Sequence, residues 1–164
     1  NPPLAKLLIE HGAKLNTTHQ YGDTPLYLAC VGGSLEIAKL LIEHGANINV
    51  QLKSGTTPLY YTYLNDRLEI AKLLNNTKKA NINMTYGDGQ TLLHEACRRG
   101  YLKFAELLVE NGAIVNSKDK YGMTPLHTAC SGGRLEIAKL LVENGAEVDA
   151  KDKNLNTPLH VACE

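Results

Sequence analysis

The sequence predicts an all-α solenoid, in which helix–turn–helix units stack on one another and are joined by β-turn or hairpin loops. Two observations predict this class. The 164 residues include eight Tyr, one Phe and no Trp, which argues against a rounded core filled by large rings. A heptapeptide that begins with Thr also recurs at steps of 33 or 34 residues, and such a period is typical of repeat proteins. Its five copies begin at Thr24, Thr57, Thr91, Thr124 and Thr157.

Each heptapeptide predicts the start of a short helix. In the first copy, T-P-L-Y-L-A-C, Thr24 is a good N-cap. Pro25 suits the first helical position because the N–H it lacks would be unpaired there in any case. We expect this helix to end at Gly32–Gly33, where a glycine can adopt the left-handed conformation.

A second recurring block, L-E-I-A-K-L-L, predicts a second helix in each unit. In its first full copy this helix runs from Leu35 to about Glu43 and places Ile37, Leu40 and Leu41 on one face. Both helices have two or three turns and are too short to be stable alone in water. Each unit must therefore be covered by its neighbours, as in a one-dimensional stack. The block recurs at Leu68 and Leu135, and as L-K-F-A-E-L-L at Leu102.

These units resemble the ankyrin repeat family. The 33-residue period, the T-P-L-H-x-A signature, the paired helices and a G-A-x-[IV]-[ND] exit to the turn occur over essentially the whole chain. We therefore expect one ankyrin repeat domain over 1–164, belonging to a longer array. It comprises the second helix and exit turn of a truncated repeat (1–18), full repeats at 19–51, 52–85, 86–118 and 119–151, and the first helix of a truncated repeat (152–164).

The repeat at 52–85 departs from the pattern. Thr62–Tyr63 replace the small Ala–Cys pair, and Asn65–Asp66 replace Gly–Gly. The N-N-T-K-K stretch, Asn75–Lys79, lacks the glycine that ends the second helix elsewhere and carries the one extra residue. Bulkier side chains and a longer turn predict a local distortion. Evolutionary drift and a role in shaping a partner's pocket both remain open as its cause.

Charge and motifs exclude several classes of function. Lys plus Arg and Asp plus Glu both total 17, whereas a general nucleic-acid binder carries a basic excess. No apolar run approaches the roughly 18 residues of a membrane span. The chain has no P-loop, dinucleotide fingerprint or nucleophile elbow, so we expect no enzymatic activity and no cofactor.

The cysteines occupy one repeated position and predict reduced, buried thiols. Equivalent residues of adjacent repeats are about 8–10 Å apart, whereas a disulfide needs Cα atoms within about 7 Å. Free thiols favour an intracellular, cytoplasmic location. The four cysteines are Cys30, Cys97, Cys130 and Cys163.

Three histidines precede a cysteine by three residues, and this spacing allows two interpretations. On a helix, His94, His127 and His160 each share a face with that cysteine, which is compatible with a zinc site. A linear stack, however, separates the four ligands that such a site needs, so we expect no metal, and a metal-dependent enzyme is the remote alternative. The resemblance implies that this histidine forms hydrogen bonds that brace the turn between units.

Two asparagines in the exit turns match a pattern seen in modified ankyrin repeats. Asn49 and Asn116 each follow an apolar residue, eight positions after a leucine, and this resembles the pattern that asparaginyl hydroxylases modify. A hydrogen-bonding role in the turn is the favoured interpretation.

All four arginines lie in or beside the turn between the two helices of a unit. They are Arg67, Arg98, Arg99 and Arg134. Stacking predicts that they follow one edge over about two repeat spacings, or roughly 20 Å. Because arginine binds carboxylate and phosphate bidentately, an acidic or phosphorylated peptide is one candidate ligand. The alternative is that they are solvated turn residues paired with Asp66 or a nearby glutamate.

The resemblance implies that a partner lies across the turn tips and the exposed side of the first helices. We therefore expect a non-catalytic module that binds another protein or peptide, with no nucleic acid or membrane partner, as a monomer within a longer array. The alternative is the ankyrin segment of a channel, signalling protein or bacterial effector that positions another domain. Besides the arginines, the candidate contacts on the turns are Gln20, Tyr21, Asp23, Lys53, Ser54, Thr56, Asp88, Gln90, Lys120, Tyr121 and Met123. Those on the first helices are Val31, Leu64, Glu95 and Ser131.

Overall fold

The computed structural model describes residues 1–52, 55–77 and 79–163, and within these the chain forms ten short helices and one hairpin. Its contacts divide it into two compact units, Asn1–Asn81 (unit 1) and Ile82–Glu164 (unit 2). In each unit, helices that follow a threonine cap (the first helices) alternate along the chain with helices of the L-E-I-A-K-L-L type (the second helices). The all-α prediction is confirmed.

Unit 1 contains five helices arranged in two rows. The first helices α2 and α4 pack against each other, and each contacts the second helix that follows it, α3 or α5. The second helices form the other row, in which α3 contacts both α1 and α5. The helices are α1 (Pro2–Glu10), α2 (Pro25–Gly32), α3 (Leu35–Glu43), α4 (Pro58–Leu64) and α5 (Leu68–Asn76).

Unit 2 begins with a two-residue antiparallel hairpin that leads into its first helix. Its strands pair Thr85 with Thr91 and Tyr86 with Gln90. The first helices α6, α8 and α10 pack in sequence, and the second helices α7 and α9 contact each other. The elements are β1 (Thr85–Tyr86), β2 (Gln90–Thr91), α6 (Leu92–Arg99), α7 (Leu102–Glu110), α8 (Pro125–Ser131), α9 (Leu135–Glu143) and α10 (Pro158–Ala162).

Local signals fix the helix ends where the sequence predicts them. The Thr24 hydroxyl accepts a hydrogen bond from the Tyr27 N–H at 3.2 Å, and the same cap recurs at every heptapeptide. Gly33 ends α2 with φ +73° and Gly100 ends α6 with φ +76°, a backbone region that costs other residues about 1–2 kcal/mol. In the irregular repeat, Asp66 takes this conformation instead of glycine, with φ +53°.

The core is aliphatic and repeats with the sequence. Each second helix from α3 onward buries one leucine of its last turn almost completely. Burying a leucine side chain contributes about 1.5–3 kcal/mol. These leucines are Leu41, Leu74, Leu108 and Leu141.

The cysteines follow the predicted burial only in part. All four are free thiols, and burial raises the pKa of Cys30 and of Cys97 to about 12. Cys130 is half-buried, however, and Cys163 is exposed. The expectation of four buried thiols is wrong for these two: Cys130 lines the open groove beside α10, and Cys163 directly follows that helix at an exposed position.

The irregular repeat accommodates its larger residues inside the fold. Tyr63 is buried, and the buried Thr62 donates from its hydroxyl to the Leu59 carbonyl at 2.6 Å. Asn75 is also buried, where the corresponding residues of the other full repeats are Ile42, Val109 and Val142. Within the described part of the chain, neither polar atom of its side chain has a hydrogen-bond partner. In the N-N-T-K-K stretch, Lys78 lies outside the described residues.

Candidate protein-interaction surface

The repeated histidines form hydrogen bonds within the stack and link one repeat to the next. His94 accepts the Thr91 backbone N–H at Nδ1, at 3.2 Å, so Nε2 carries the proton and donates to the Met123 carbonyl at 3.1 Å. His127 forms the same bonds one repeat later, to Thr124 and to the Asn156 carbonyl. The bracing role that the resemblance implies is confirmed for His94 and His127, whereas His160 bonds to Thr157 at the start of its own helix.

Burial keeps His94 neutral. It lowers the pKa of the imidazole, and the bond to Met123 and the charge of Asp119 oppose that shift only in part. A neutral ring with one donor and one acceptor is the form that the two backbone bonds require. Within the part of the chain that the structure describes, no three His, Cys, Asp or Glu side chains converge as a metal site would require.

A row of asparagines forms a second link between repeats. Asn116 donates to the Gly145 carbonyl at 2.9 Å and accepts the Glu147 N–H at 2.9 Å. Asn49 does the same with the Lys79 carbonyl and the Asn81 N–H. The hydrogen-bonding role is therefore confirmed for both residues. Asn83, which the sequence analysis missed, contacts the Gly112 carbonyl and the Ile114 N–H in the same way.

Glu95 binds the two arginines at the end of α6. Arg98 donates from Nη2 to both carboxylate oxygens at 2.7 Å, and Arg99 donates from Nε to Oε1. The Glu95 side chain is only 9% exposed, and that of Arg98 is 57% exposed. Burial alone would raise the pKa of Glu95, but its bonds to both guanidinium groups lower it, so the carboxylate stays ionised.

These contacts give Glu95 a structural role beside the predicted one as a partner contact. Its carboxylate is nearly buried and holds Arg98 and Arg99 in place. The pairing with a nearby glutamate is observed for these two arginines, and their binding of a partner stays a prediction. Arg99 also lies over the ring of Tyr101, 6.0 Å from its centre.

The other two arginines pack on a glycine of the preceding turn. A Cβ atom placed on Gly33 would lie 2.8 Å from Arg67 Nε, and one on Gly100 would lie 2.9 Å from Arg134 Nε. Arg134 also donates to the Arg98 carbonyl at 3.5 Å. Arg98, Arg99 and Arg134 therefore lie together in unit 2, whereas Arg67 belongs to unit 1.

The turn tips of unit 2 present an exposed aromatic ring among charges. Asp119 is buried and accepts the N–H groups of Tyr121 and Met123, both at 2.9 Å, which fixes the turn. The Tyr121 ring is 51% exposed, and Lys120 Nζ lies 4.8 Å from its centre. Lys120 also pairs with Asp88 at 2.6 Å. We call Asp88, Lys120 and Tyr121 the tip cluster.

The corresponding tip of unit 1 is simpler. Tyr21 is 68% exposed and makes an edge contact with His19, with ring centres 5.4 Å apart. His19 Nε2 lies 3.2 Å from a carboxylate oxygen of the half-buried Asp23. The predicted contacts Lys53 and Ser54, on the next turn, lie outside the described residues.

Comparison with known proteins assigns the repeats. A family model of ankyrin repeats matches residues 1–86, 72–152 and 118–164. The chain belongs to the ankyrin repeat family. The serine/threonine-protein kinase TNNI3K of Mus musculus is 34% identical over 99 residues, which cover 58% of this chain and 12% of that kinase. Ankyrin repeats are generally protein-interaction modules. Among the residues that the structure describes, no helix has the length and apolar character of a membrane span.

The first helices of these ankyrin repeats expose different chemistry in the two units. In unit 1, Leu28 is exposed, and the rings of Tyr27 and Tyr61 meet edge to face with centres 4.7 Å apart. Burial, the nearby Tyr61 and Asp23 raise the pKa of Tyr27. Of the predicted contacts on first helices, Leu64 is half-buried in this unit and Ser131 is exposed in unit 2.

The sequence analysis missed this tyrosine–leucine face of unit 1, although the heptapeptide carried a signal for it. The residue type at the fifth position of the heptapeptide differs in every repeat, whereas the residue types at the neighbouring positions change much less. The residues there are Leu28, Tyr61, Glu95, Thr128 and Val161.

Proposed function

We propose that this ankyrin array is a non-catalytic recognition module that binds another protein through its turn tips and the exposed face of its first helices. The observation that carries the proposal is a contrast within each repeat. The recurring His94 and Asn116 side chains make hydrogen bonds inside the stack, whereas Tyr21 and Tyr121, at a position that varies between repeats, are exposed on turns that hydrogen bonds hold in place.

Exposed aromatic side chains beside arginine are typical of binding hot spots. Tyr121 is suited to this role because its turn is ordered before a partner arrives, which reduces the entropy lost on binding. The Asp119 carboxylate and the backbone bond from Lys120 to the Asp88 carbonyl, at 2.8 Å, both hold that turn.

Unit 2 favours an acidic or phosphorylated partner segment. Arg98 and Arg99 share the single carboxylate of Glu95, and Arg134 donates to the Arg98 carbonyl, so this group has more arginines than the one carboxylate balances. Arginine held in a fixed orientation binds carboxylate and phosphate groups with good geometry. In unit 1 the tyrosines and Leu28 favour apolar side chains of a partner.

A second role is compatible with the first. In TNNI3K of Mus musculus the matched segment makes up 12% of a serine/threonine-protein kinase. By analogy, we infer that this array positions a separate domain of a larger protein while it binds its partner. The buried, unreactive thiols of Cys30 and Cys97 favour an intracellular setting.

The test uses variants that preserve packing. Replacing Glu95 and Arg98 together by Thr and Ser copies the next repeat, which has Thr128 and Ser131 at those positions, and leaves no buried carboxylate unpaired. A partner is captured from cell extract, identified and purified. Calorimetry then measures its affinity for the wild type, for this double variant and for Tyr121→Ser.

We expect each variant to weaken the affinity at least about 10-fold, as loss of a hot-spot residue does, with an unchanged melting temperature. If the partner is phosphorylated, phosphatase treatment should weaken its binding to the wild type. The same treatment should not further weaken its binding to the double variant. Replacing the exposed pair Glu136 and Lys139 on α9 by Gln is the control. Equal affinity of all four proteins would refute the proposed surface.

A further inference from the structure

We propose that the arginines of unit 2 form a binding site for a phosphate group on a side chain of the partner, in preference to a carboxylate. The site consists of Arg98, Arg99 and Arg134, together with the Glu95 carboxylate that pairs with the first two. The inference rests on the proposed function, because it names the ligand that the recognition surface of unit 2 binds. A phosphorylated serine, threonine or tyrosine of the partner supplies the phosphate group.

Glu95 orders two of the guanidinium groups before a ligand arrives. Arg98 donates to its carboxylate from Nε at 3.1 Å and from Nη2 at 2.7 Å, and Arg99 donates to it from Nε. Arg99 also lies over the ring of Tyr101. Side chains that are already ordered in the free protein lose less conformational entropy on binding. The pairing with Glu95 therefore favours binding at this site.

The bonds to Glu95 leave one edge of Arg98 for a ligand. A guanidinium group carries five N–H donors in one plane, and Glu95 accepts from the Nε and Nη2 groups of Arg98. Among the residues that the structure describes, Nη1 of Arg98 has no hydrogen-bond partner. The side chain is also more than half exposed. Its second donor edge is therefore accessible to a group on another protein.

Arg134 brings a third guanidinium group from the following repeat. Its Nη2 lies 3.5 Å from the Arg98 carbonyl, and its Nε would lie 2.9 Å from a Cβ atom on Gly100. The nearest glutamate along the chain, Glu136, pairs with Lys139 instead. Among the described residues no carboxylate pairs with Arg134, so its charge is available to a ligand.

The exposure of Arg134 does not depend on where the chain ends. Arg67 stands at the same position of its own repeat and is followed by a complete repeat. It is exposed as well. An arginine at this position is thus open to solvent inside the array.

Charge and geometry favour phosphate over carboxylate at this site. Three guanidinium groups and one carboxylate leave two positive charges unbalanced. A phosphate monoester carries a charge of about −1.5 to −2 at pH 7 and has three strong acceptor oxygens, whereas a carboxylate carries a single charge and has two oxygens in one plane. Phosphate oxygens can therefore accept from Arg98 and Arg134 in different directions. A carboxylate would only repeat what Glu95 already provides to Arg98.

The test follows the arginine side chains by NMR. With nitrogen-15 in arginine, the chain gives four Nε–H signals, which single substitutions of arginine by lysine assign. The probes are three glycine pentapeptides with blocked ends that carry phosphoserine, aspartate or serine as the central residue. The phosphoserine peptide should shift the signals of Arg98 and Arg134 and bind at least about 5-fold more tightly than the aspartate peptide. The serine peptide should shift neither signal.

Arg67 is the matched control within the chain. It stands at the position of Arg134, but the repeat before it has Val31 and Gly32 where the repeat before Arg134 has two arginines. Its signal should shift much less than that of Arg134 at the same concentration of the phosphoserine peptide, because a single guanidinium group does not reproduce the site.

Three outcomes would overturn the proposal. Equal affinities for the phosphoserine and aspartate peptides would show that the site has no preference for phosphate. Equal shifts of Arg67 and Arg134 would show that any exposed arginine suffices, and unshifted signals of Arg98 and Arg134 would show that they bind no phosphate. If the captured partner still loses affinity for Tyr121→Ser in these cases, the proposed function stands and only the phosphate site is wrong.

A lipid headgroup offers the same chemistry, and vesicles distinguish the two sources. Phosphatidylcholine vesicles that contain phosphatidylinositol 4-phosphate should not sediment the chain. Sedimentation with these vesicles that is lost in Arg98→Gln would assign the phosphate to a membrane surface and overturn the proposal of a phosphorylated protein partner.

Discussion

Replacing Asn75 by Val should stabilise the protein. The amide of Asn75 is buried on α5, and neither its nitrogen nor its oxygen has a hydrogen-bond partner. Leaving a buried polar group unpaired costs about 1–3 kcal/mol. Valine occupies the same position at Val109 and Val142, so the fold accepts its shape. We expect the free energy of unfolding to rise by about 2 kcal/mol.

Urea unfolding followed by circular dichroism measures this change. With a denaturant dependence of about 2 kcal/mol per molar urea, the midpoint should move up by about 1 M. The control is Asn76→Val, because Asn76 is exposed on the same helix and should give no gain. A midpoint of Asn75→Val at or below that of the wild type would show that the buried amide is satisfied in solution and that the reasoning is wrong.

Three further predictions concern the links between repeats. His127→Ala should lower the free energy of unfolding by about 2–3 kcal/mol through loss of its backbone bonds, whereas His160→Ala, at an exposed position, should cost much less in the same urea titration. Folding lowers the pKa of His94 from 6.5, so the unfolded chain binds more protons in acid, and the free energy of unfolding should fall as the pH drops below about 6.5. His94→Gln should flatten this pH dependence of the urea midpoint. An unchanged slope would show that His94 is not the group responsible. Gly100→Ala should lower the melting temperature more than Gly112→Ala. Both glycines have positive φ, but of these two only Gly100 would place an added Cβ against an arginine side chain. Equal decreases in melting temperature would show that the packing of Arg134 on Gly100 contributes nothing to stability.

The sequence predicted the helices almost to the residue because their ends are set locally. A threonine cap, a proline at the first position and a closing glycine act within one turn, so α2 and α3 begin and end as expected at Pro25–Gly32 and Leu35–Glu43. The aliphatic core could be predicted equally well, because it follows from the repeat period and the spacing of leucines.

The candidate site was less predictable because it depends on packing between repeats. Glu95 has the same sequence context as an exposed helical glutamate, and only the neighbouring helices make it 9% exposed. The packing of Arg134 on Gly100 joins residues 34 positions apart and has no local signal. Asn75 stands where the other full repeats have Ile42, Val109 and Val142, so the alignment marked an apolar position, but a polar side chain there gave no local signal of complete burial.

The asparagine links have a consequence for how such a chain can change length. Each of Asn49, Asn83 and Asn116 presents one donor and one acceptor to the same two backbone groups of the module after it. Every junction of this kind is therefore interchangeable. When gene duplication or deletion adds or removes one whole module, each remaining junction still has a matching neighbour. The array can therefore become longer or shorter without a new type of junction, while its surface residues diverge independently.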